Sequence, residues 1–333
     1  MSVAMSGHLG LKKETAYGVE VTPDVFGEIS KENLNVDNGL FLPRMIGGER
    51  GNKRVLAGPL TGGGGLSYII TPEDLMGHTL MGTFGSLVTT DLGNGAYLHT
   101  FKVLDSTAIP SYTVQKDAEG GCFNFPGTVF GGFSLGVSPD ELMTMDIDML
   151  PQRVLEATPA TPSYTAMDPF TPFQCAVEFN SVSYPNMENV NIDVTNSVEL
   201  VRTLNNQRYP GKAVATKFDC SGSFSLEFDD MVMLRRMWGN ALATAPSDSL
   251  SSNSLKLTFT MSSDDDATYG IIGTSAYKYM LEFEFHSIYL QGSLPNLDDP
   301  DKRIMLNVDF VTKHDSVADT MMTVRLRNSE ATY

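Results

Sequence analysis

Polar and apolar residues alternate along much of this chain, and that period of two constrains its fold more than any other feature. Asn33-Leu-Asn-Val-Asp37, Met145-Asp-Ile-Asp-Met149 and Val190-Asn-Ile-Asp-Val194 follow it. Ser223-Phe-Ser-Leu-Glu-Phe228, Leu281-Glu-Phe-Glu-Phe285 and Leu306-Asn-Val-Asp-Phe310 repeat it. Successive side chains of a strand point to opposite faces, so each run predicts a strand buried on one side and wet on the other. Antiparallel sheets accommodate that pattern. The 30 glycines and 17 prolines are spread along the chain, as the turns of a β-rich fold require.

Two segments break the alternation. Pro72 to Phe84 reads as a helix with Thr71 as its N-cap, and Asp229 to Trp238 as a second, with acids at its start and arginines near its end. Each follows a glycine and an alternating strand, and each ends in an aromatic and a glycine, Phe84-Gly85 and Trp238-Gly239. Further pairs keep the same order: Leu34–Asp37 with Val190–Asp193, Leu98–Phe101 with Lys256–Phe259, and Met143–Met149 with Ile304–Phe310. The offset stays near ~154–162 residues, which predicts two tandem copies of one unit. The expected division is residues 1–157, a Pro-rich linker over 158–172, and residues 173–333.

With 333 residues, the chain is long enough for two such cores. The formal net charge of -17 argues against condensation on nucleic acid, which needs clustered Lys and Arg to displace counterions. Passage of DNA without capture fits that charge. Cys122, Cys175 and Cys220 lie far apart, which predicts reduced thiols and no disulfide framework. The start has no apolar signal-peptide core, and no apolar run reaches the ~18 residues of a membrane span.

Catalytic and metal signatures are weak. The run Gly62–Gly65 lacks the Lys-Ser/Thr of a phosphate loop, and close backbone packing or a turn is its expected role. Five histidines are scattered, and Asp264–Asp266 and Asp298–Asp301 lack calcium-loop spacing. The expectation is no enzyme activity, no cofactor and no metal.

Leu9-Gly-Leu-Lys-Lys-Glu-Thr-Ala-Tyr-Gly-Val-Glu-Val-Thr-Pro23, followed by Phe26 and Ile29–Glu32, resembles the opening of tail tube proteins of long-tailed, siphovirus-like bacteriophages. The resemblance continues over Val55–Gly65, the Arg208-Tyr-Pro210 turn and Gly222–Phe228. Ala16 departs from a frequent Thr, and the glycine run is heavier than usual. The resemblance implies a mainly β protein with two tandem tail-tube-type β-sandwiches or partial barrels, each flanked by one helix. It implies edge-to-edge rings stacked into a hollow tube in the virion tail, assembled in the host cytoplasm. The implied partners are the chain itself, a tape-measure protein, a tail terminator and distal tail or tip proteins. Phage DNA would pass transiently, and no membrane is involved. Two units per chain favour three chains in a pseudo-sixfold ring, with a hexamer as the alternative.

Alternation places Asn35, Asp37, Asp146 and Asp148 on one face, and Asn191, Asp193, Asn307 and Asp309 on the matching face of the second copy. These residues are the candidates for lining the channel, and solvated outer faces are the competing reading. Tyr17, Arg44, Arg50, Arg54, Arg202 and Arg208 are the candidates for contacts between subunits or rings. A capsid decoration protein or a carbohydrate-binding β-sandwich of the tail tip is the rival function. Against a sugar site, the single Trp238 falls on a predicted helix.

Overall fold

A computed structural model describes residues 7–44, 46, 51, 52, 54–118, 120–261, 270–274, 276–296, 301 and 303–333. Strands hold 52% of the described residues and helices 6%, so the alternation was the right guide to class. The sheet is open and does not close into a barrel.

Strands β1 (His8–Lys13), β2 (Val25–Phe26), β3 (Lys31–Glu32), β4 (Asn35–Phe41) and β5 (Leu56–Ile69) precede helix α1 (Leu75–Phe84). Then come β6 (Gly85–Gly93), β7 (Ala96–Val103), β8 (Tyr112–Asp117), β9 (Cys122–Val137), β10 (Thr144–Leu150) and β11 (Leu155–Ala157). A 3-10 turn at Pro172–Gln174 opens the second half, followed by β12 (Cys175–Phe179), β13 (Val182–Ser183), β14 (Met187–Val201) and β15 (Lys212–Glu227). Helix α2 (Val232–Met237), β16 (Asn253–Thr260), β17 (Met280–Gly292), β18 (Met305–Thr312) and β19 (Met322–Asn328) complete it.

Every strand pair is antiparallel, and the two halves run through one order. The first links β2, β1, β8 and β9, from which β11 branches on one side and β10, β5 and β4 on the other. The second links β13, β12, β16 and β17, from which β19 branches on one side and β18, β15 and β14 on the other. One of the matched sequence pairs does not fit this order. Leu98–Phe101 lies in β7, bonded to β6 and β19, whereas Lys256–Phe259 lies in β16, whose neighbours correspond to those of β8. Short alternating runs resemble one another wherever they occur, and only pairing separates them.

The halves are joined by backbone ladders. β14 pairs with β9, with Ile192 opposite Leu135 and Val194 opposite Phe133, and β19 pairs with β7. The buried apolar core is contiguous across both, from Leu11 and Phe130 to Phe224 and Phe310. Residues 158–171 form no regular element, yet they are docked. Gln115 Nε2 donates to Thr158 O (3.2 Å), Ala160 N to Gln115 Oε1 (2.8 Å) and Phe170 N to Ile70 O (3.0 Å).

Both helices are shorter than their sequence pattern. α1 begins at Leu75, and its N-cap is Asp74 at φ 58°, not Thr71. Burial explains the shift: Glu73 is held by Ser329, whose N–H and hydroxyl donate to it at 2.9 and 2.7 Å. α2 covers six residues, and Asp230 accepts the Val232 N–H at 2.8 Å. Within β5, Gly64 sits at φ 143°, and a Cβ there would lie 2.6 Å from Asn33 O. The glycine run thus serves close backbone approach.

Eight of the ten α1 residues are buried. A Cβ at Gly82 would meet Phe130 at 2.2 Å, and Phe130 is itself stacked on Tyr112 at 5.0 Å. On the same helix His78 meets Tyr333 edge-on at 5.0 Å and Tyr112 at 6.0 Å. Desolvation lowers its pKa to about 4, against a smaller opposing effect of Asp24.

Gly82→Ala gains about 1 kcal/mol of helix propensity but overpacks the core by about 1–3 kcal/mol. Urea unfolding of the unassembled chain is expected to show a net loss, and a stabilised variant would contradict the packing account. His78 binds a proton more readily when unfolded, so its contribution is present above pH 6.5 and is lost as pH falls towards 4. Roughly 2 kcal/mol should disappear between pH 7 and pH 5 through this group. A His78→Gln chain should show a correspondingly shallower pH dependence of unfolding free energy.

Candidate assembly site

One run of strands crosses both halves in the order β4, β5, β10, β9, β14, β15, β18, β17, with β3 continuing the β4 edge. Its two faces differ as alternation requires. Met145, Ile147, Met149, Ile192, Val194, Leu306, Val308 and Phe310 are buried on one. Asn35, Asp37, Asp146, Asp148, Asn191, Asp193, Asn307 and Asp309 are all exposed on the other.

Register brings these polar residues into rows. Ser67, Asp146, Ser134, Asp193 and Ser221 lie opposite one another across five strands. Asn191, Ser223, Asp309 and Gln291 form another row. Asp148 lies between Gly65 and Gly132, Asp37 faces Thr61, Asn35 faces Gly63 and Asn307 faces Ser225. The carboxylates are met by small hydroxyls and amides. Ser67 Oγ donates to Asp146, and Asn35 Nδ2 donates to Asp37 Oδ1 at 3.1 Å. The face is negative on balance, although it also carries Lys31, opposite Ser67, and Lys217, paired with Asp219, and its excess of carboxylates repels a polyanion.

Beyond the sheet, β4 and β5 continue as a projecting hairpin. Leu40, Phe41 and Leu56 are each more than half exposed, with Phe41 opposite Leu56. Arg44 and Arg54 are exposed on this hairpin, while Arg50 lies outside the described residues. Arg202 and Arg208 act within the chain. Arg208 Nε donates to Gly58 O (2.6 Å) and its Nη2 to Gly39 O (3.2 Å) and to Asn38. Arg202 Nη2 donates to Leu60 O at 2.6 Å. Their partners within the chain are backbone carbonyls, the Asn38 amide and the Thr61 hydroxyl. Tyr17 is half-buried, and its enclosed hydroxyl, left without a partner, is pushed up to about 12, first by burial and then by Glu14.

Glu14 was not singled out by sequence reasoning, although it sits inside the Lys-Glu-Thr motif. Its carboxylate accepts from Gly18 N (2.9 Å), Ser111 Oγ (2.7 Å), Thr113 Oγ1 (2.8 Å) and Gly127 N (2.8 Å). An exposed-looking charge just past the end of β1 thereby fixes the corner of β9.

Among the described residues no group of His, Cys, Asp and Glu could hold a metal ion, and no helix is long and apolar enough to cross a membrane. The Asp264–Asp266 run lies outside the described residues. An open sheet with a continuous acidic face and an apolar projecting hairpin defines a structural β protein. A family model described as phage tail tube protein matches residues 6–311, and the chain belongs to that family. No curated protein matches the chain. It is therefore a structural component of the phage tail tube, within the virion tail, in a family that is not an enzyme class and that implies assembly with itself and with other tail components.

Removing the Arg208 clamp should loosen the hairpin and leave the sheet intact. For Arg208→Ala, hydrogen exchange should become faster in 38–41 and 56–60 and stay unchanged in β10 and β18. A cost of about 1–3 kcal/mol, local to the hairpin, is expected. Uniform loss of protection would show instead that Arg208 supports the whole fold.

Proposed function

We propose that the chain forms stacked rings whose bore is lined by the acidic face and conducts the phage genome. The observation that carries this reading is the continuity of that face across both halves, in register and without a break at their junction. DNA must slide through such a bore without adhering, and like charge opposes adhesion over about a Debye length. Asn35, Asp37, Asp146, Asp148, Asn191, Asp193, Asn307 and Asp309 are the lining residues.

The repeated strand order supports two tandem units within one chain, 1–157 and 173–333 joined by 158–172. Three chains then supply six units to a pseudo-sixfold ring. The β4–β5 hairpin, with Arg44, Arg50 and Arg54, reaches the next ring. Arg202 and Arg208 fix the hairpin's angle, and Tyr17 steadies the N-terminal arm. In a siphovirus-type tail the tube would form in the host cytoplasm around a tape-measure protein, between a terminator and the distal tip.

Replacing Asp37, Asp148, Asp193 and Asp309 together by Lys should leave tubes visible by negative-stain microscopy. Genome ejection from phage carrying them should be slowed at least tenfold and recover partly at high salt. Ejection at the normal rate from normal tubes would overturn the lining.

A further inference from the structure

We infer that the two open ends of the eight-strand run join successive copies of the chain, in the register of the chain's own internal seam. This inference rests on the reading that the chain assembles with itself, and it names the edges and residues that meet.

The seam between the halves pairs β14 with β9: Ile192 with Leu135, Asp193 with Ser134, Thr195 with Gly132. Each seam strand has a counterpart at an open end of the run. Gly64 lies opposite Met149 as Gly222 lies opposite Phe310. On their other side, Gly222 faces Ile192, while Glu32 facing Leu66 and Asn35 facing Gly63 put Leu34 opposite Gly64. Leu34 therefore holds the place of Ile192, two residues away from the match suggested by sequence alone. Likewise Asp148 faces Gly132 and Asp309 faces Gln291, so Gln291, Ser293 and Leu294 hold the places of Gly132, Ser134 and Leu135.

Among the described residues both counterparts lack a second neighbour. Asn33 N donates to Gly65 O at 3.1 Å, so by alternation Leu34 and Val36 turn their backbone groups away from β5. Among the described residues no strand lies there. The Leu34 N–H is bonded instead to the Glu32 carboxylate at 3.2 Å, which shields the edge of the free chain. At the other end Gln291 to Leu294 are exposed. Leu294 is 61% exposed, whereas Leu135, its counterpart inside the seam, is 2% exposed. A neighbour's edge is what would bury it.

The joined register sets Leu34 opposite Leu294 of a neighbouring copy, Asn35 opposite Ser293 and Asp37 opposite Gln291. Both acidic faces then fall on one side, and the rows continue from chain to chain. The contact uses different surfaces of the two copies, so it propagates head to tail and closes only as a ring.

Cysteine cross-linking of the full-length chain tests this. Asn35 and Ser293 would form a pair not hydrogen-bonded to each other, with Cα atoms about 4.5 Å apart and within disulfide reach. N35C/S293C should oxidise at least tenfold more efficiently than N35C or S293C alone, which measure the background of Cys122, Cys175 and Cys220. In a ring of three the covalent ladder stops at the trimer. D37C/S293C reports the register of the simple sequence match, and preferential cross-linking there would overturn the proposed one. Rings or tubes without either cross-link would overturn the edges and leave the tube reading standing. A chain that stays monomeric in sedimentation under assembly conditions would overturn both. Independently, Leu294→Asp should abolish rings while the monomer's circular dichroism and thermal unfolding stay unchanged, and normal rings from that variant would contradict the inference.

Discussion

A β-strand has two hydrogen-bonding edges, and the structure depends on how the edge of β9 is satisfied. Its second part is bonded to β10 within the first half and to β14 of the second. Together with the β19–β7 ladder, the β9–β14 ladder joins the two halves, and by itself it carries the acidic rows across the junction, over a contiguous apolar core. Without it, β9 and β14 would both present unpaired backbone, a surface that recruits further strands indiscriminately. Among the described residues the run still ends in two open edges. Glu32 bonded to the Leu34 N–H covers one of them in the free chain.

The corner of β9 is the second constraint. Its first part belongs with β8 and β11, and its second part with β10 and β14. A strand that changes sheets leaves backbone donors without ladder partners, and a buried unpaired N–H costs about 1–3 kcal/mol. The Glu14 carboxylate meets Gly127 N at that corner, together with two hydroxyls and the Gly18 N–H. This gives the Lys-Glu-Thr motif a physical role: it ties the N-terminal arm to the bend that lets one strand serve two sheets. The buried C-terminal Tyr333 ring, packed against Gly77 of α1 and against His78 and His99, ties down the opposite end of the chain.

Polar and apolar faces do different work here. The buried face supplies cohesion through Ile147, Val194, Phe224 and Phe310. The exposed face is built largely of Asp, Asn, Ser, Thr and Gly, with Gln291, Lys31 and Lys217 among its longer side chains. Long cations appear at the hairpin, where Arg202 and Arg208 bind carbonyls and set the direction in which exposed Leu40 and Phe41 project. Charge that would grip a polyanion is thus placed away from the centre of the acidic rows.

The sequence by itself determined the class of fold and the two-faced character of its strands. Alternation is a local property of the covalent chain: the residues of Met145–Met149 and Leu306–Phe310 point to opposite faces in whatever sheet contains them. It placed all eight acidic and amide residues on exposed positions, and the N-terminal motif pointed to the family. It left open which strands are neighbours, because pairing is non-local and short alternating runs are interchangeable: Leu98–Phe101 lies in β7 between β6 and β19, and Lys256–Phe259 in β16 between β12 and β17. It also overextended both helices, since burial of Glu73 and the turn at Asp74 come from distant contacts with Ser329 and Thr165. The roles of Glu14 and Arg208 were equally hidden, because a charged residue reads as surface until its partners across the fold are known. The register of β3 and β4 on β5, with Glu32 opposite Leu66 and Asn35 opposite Gly63, was decided only by tertiary structure: a shift of two preserves the face and every alternation signal, and hydrogen bonding to β5 alone distinguishes the alternatives.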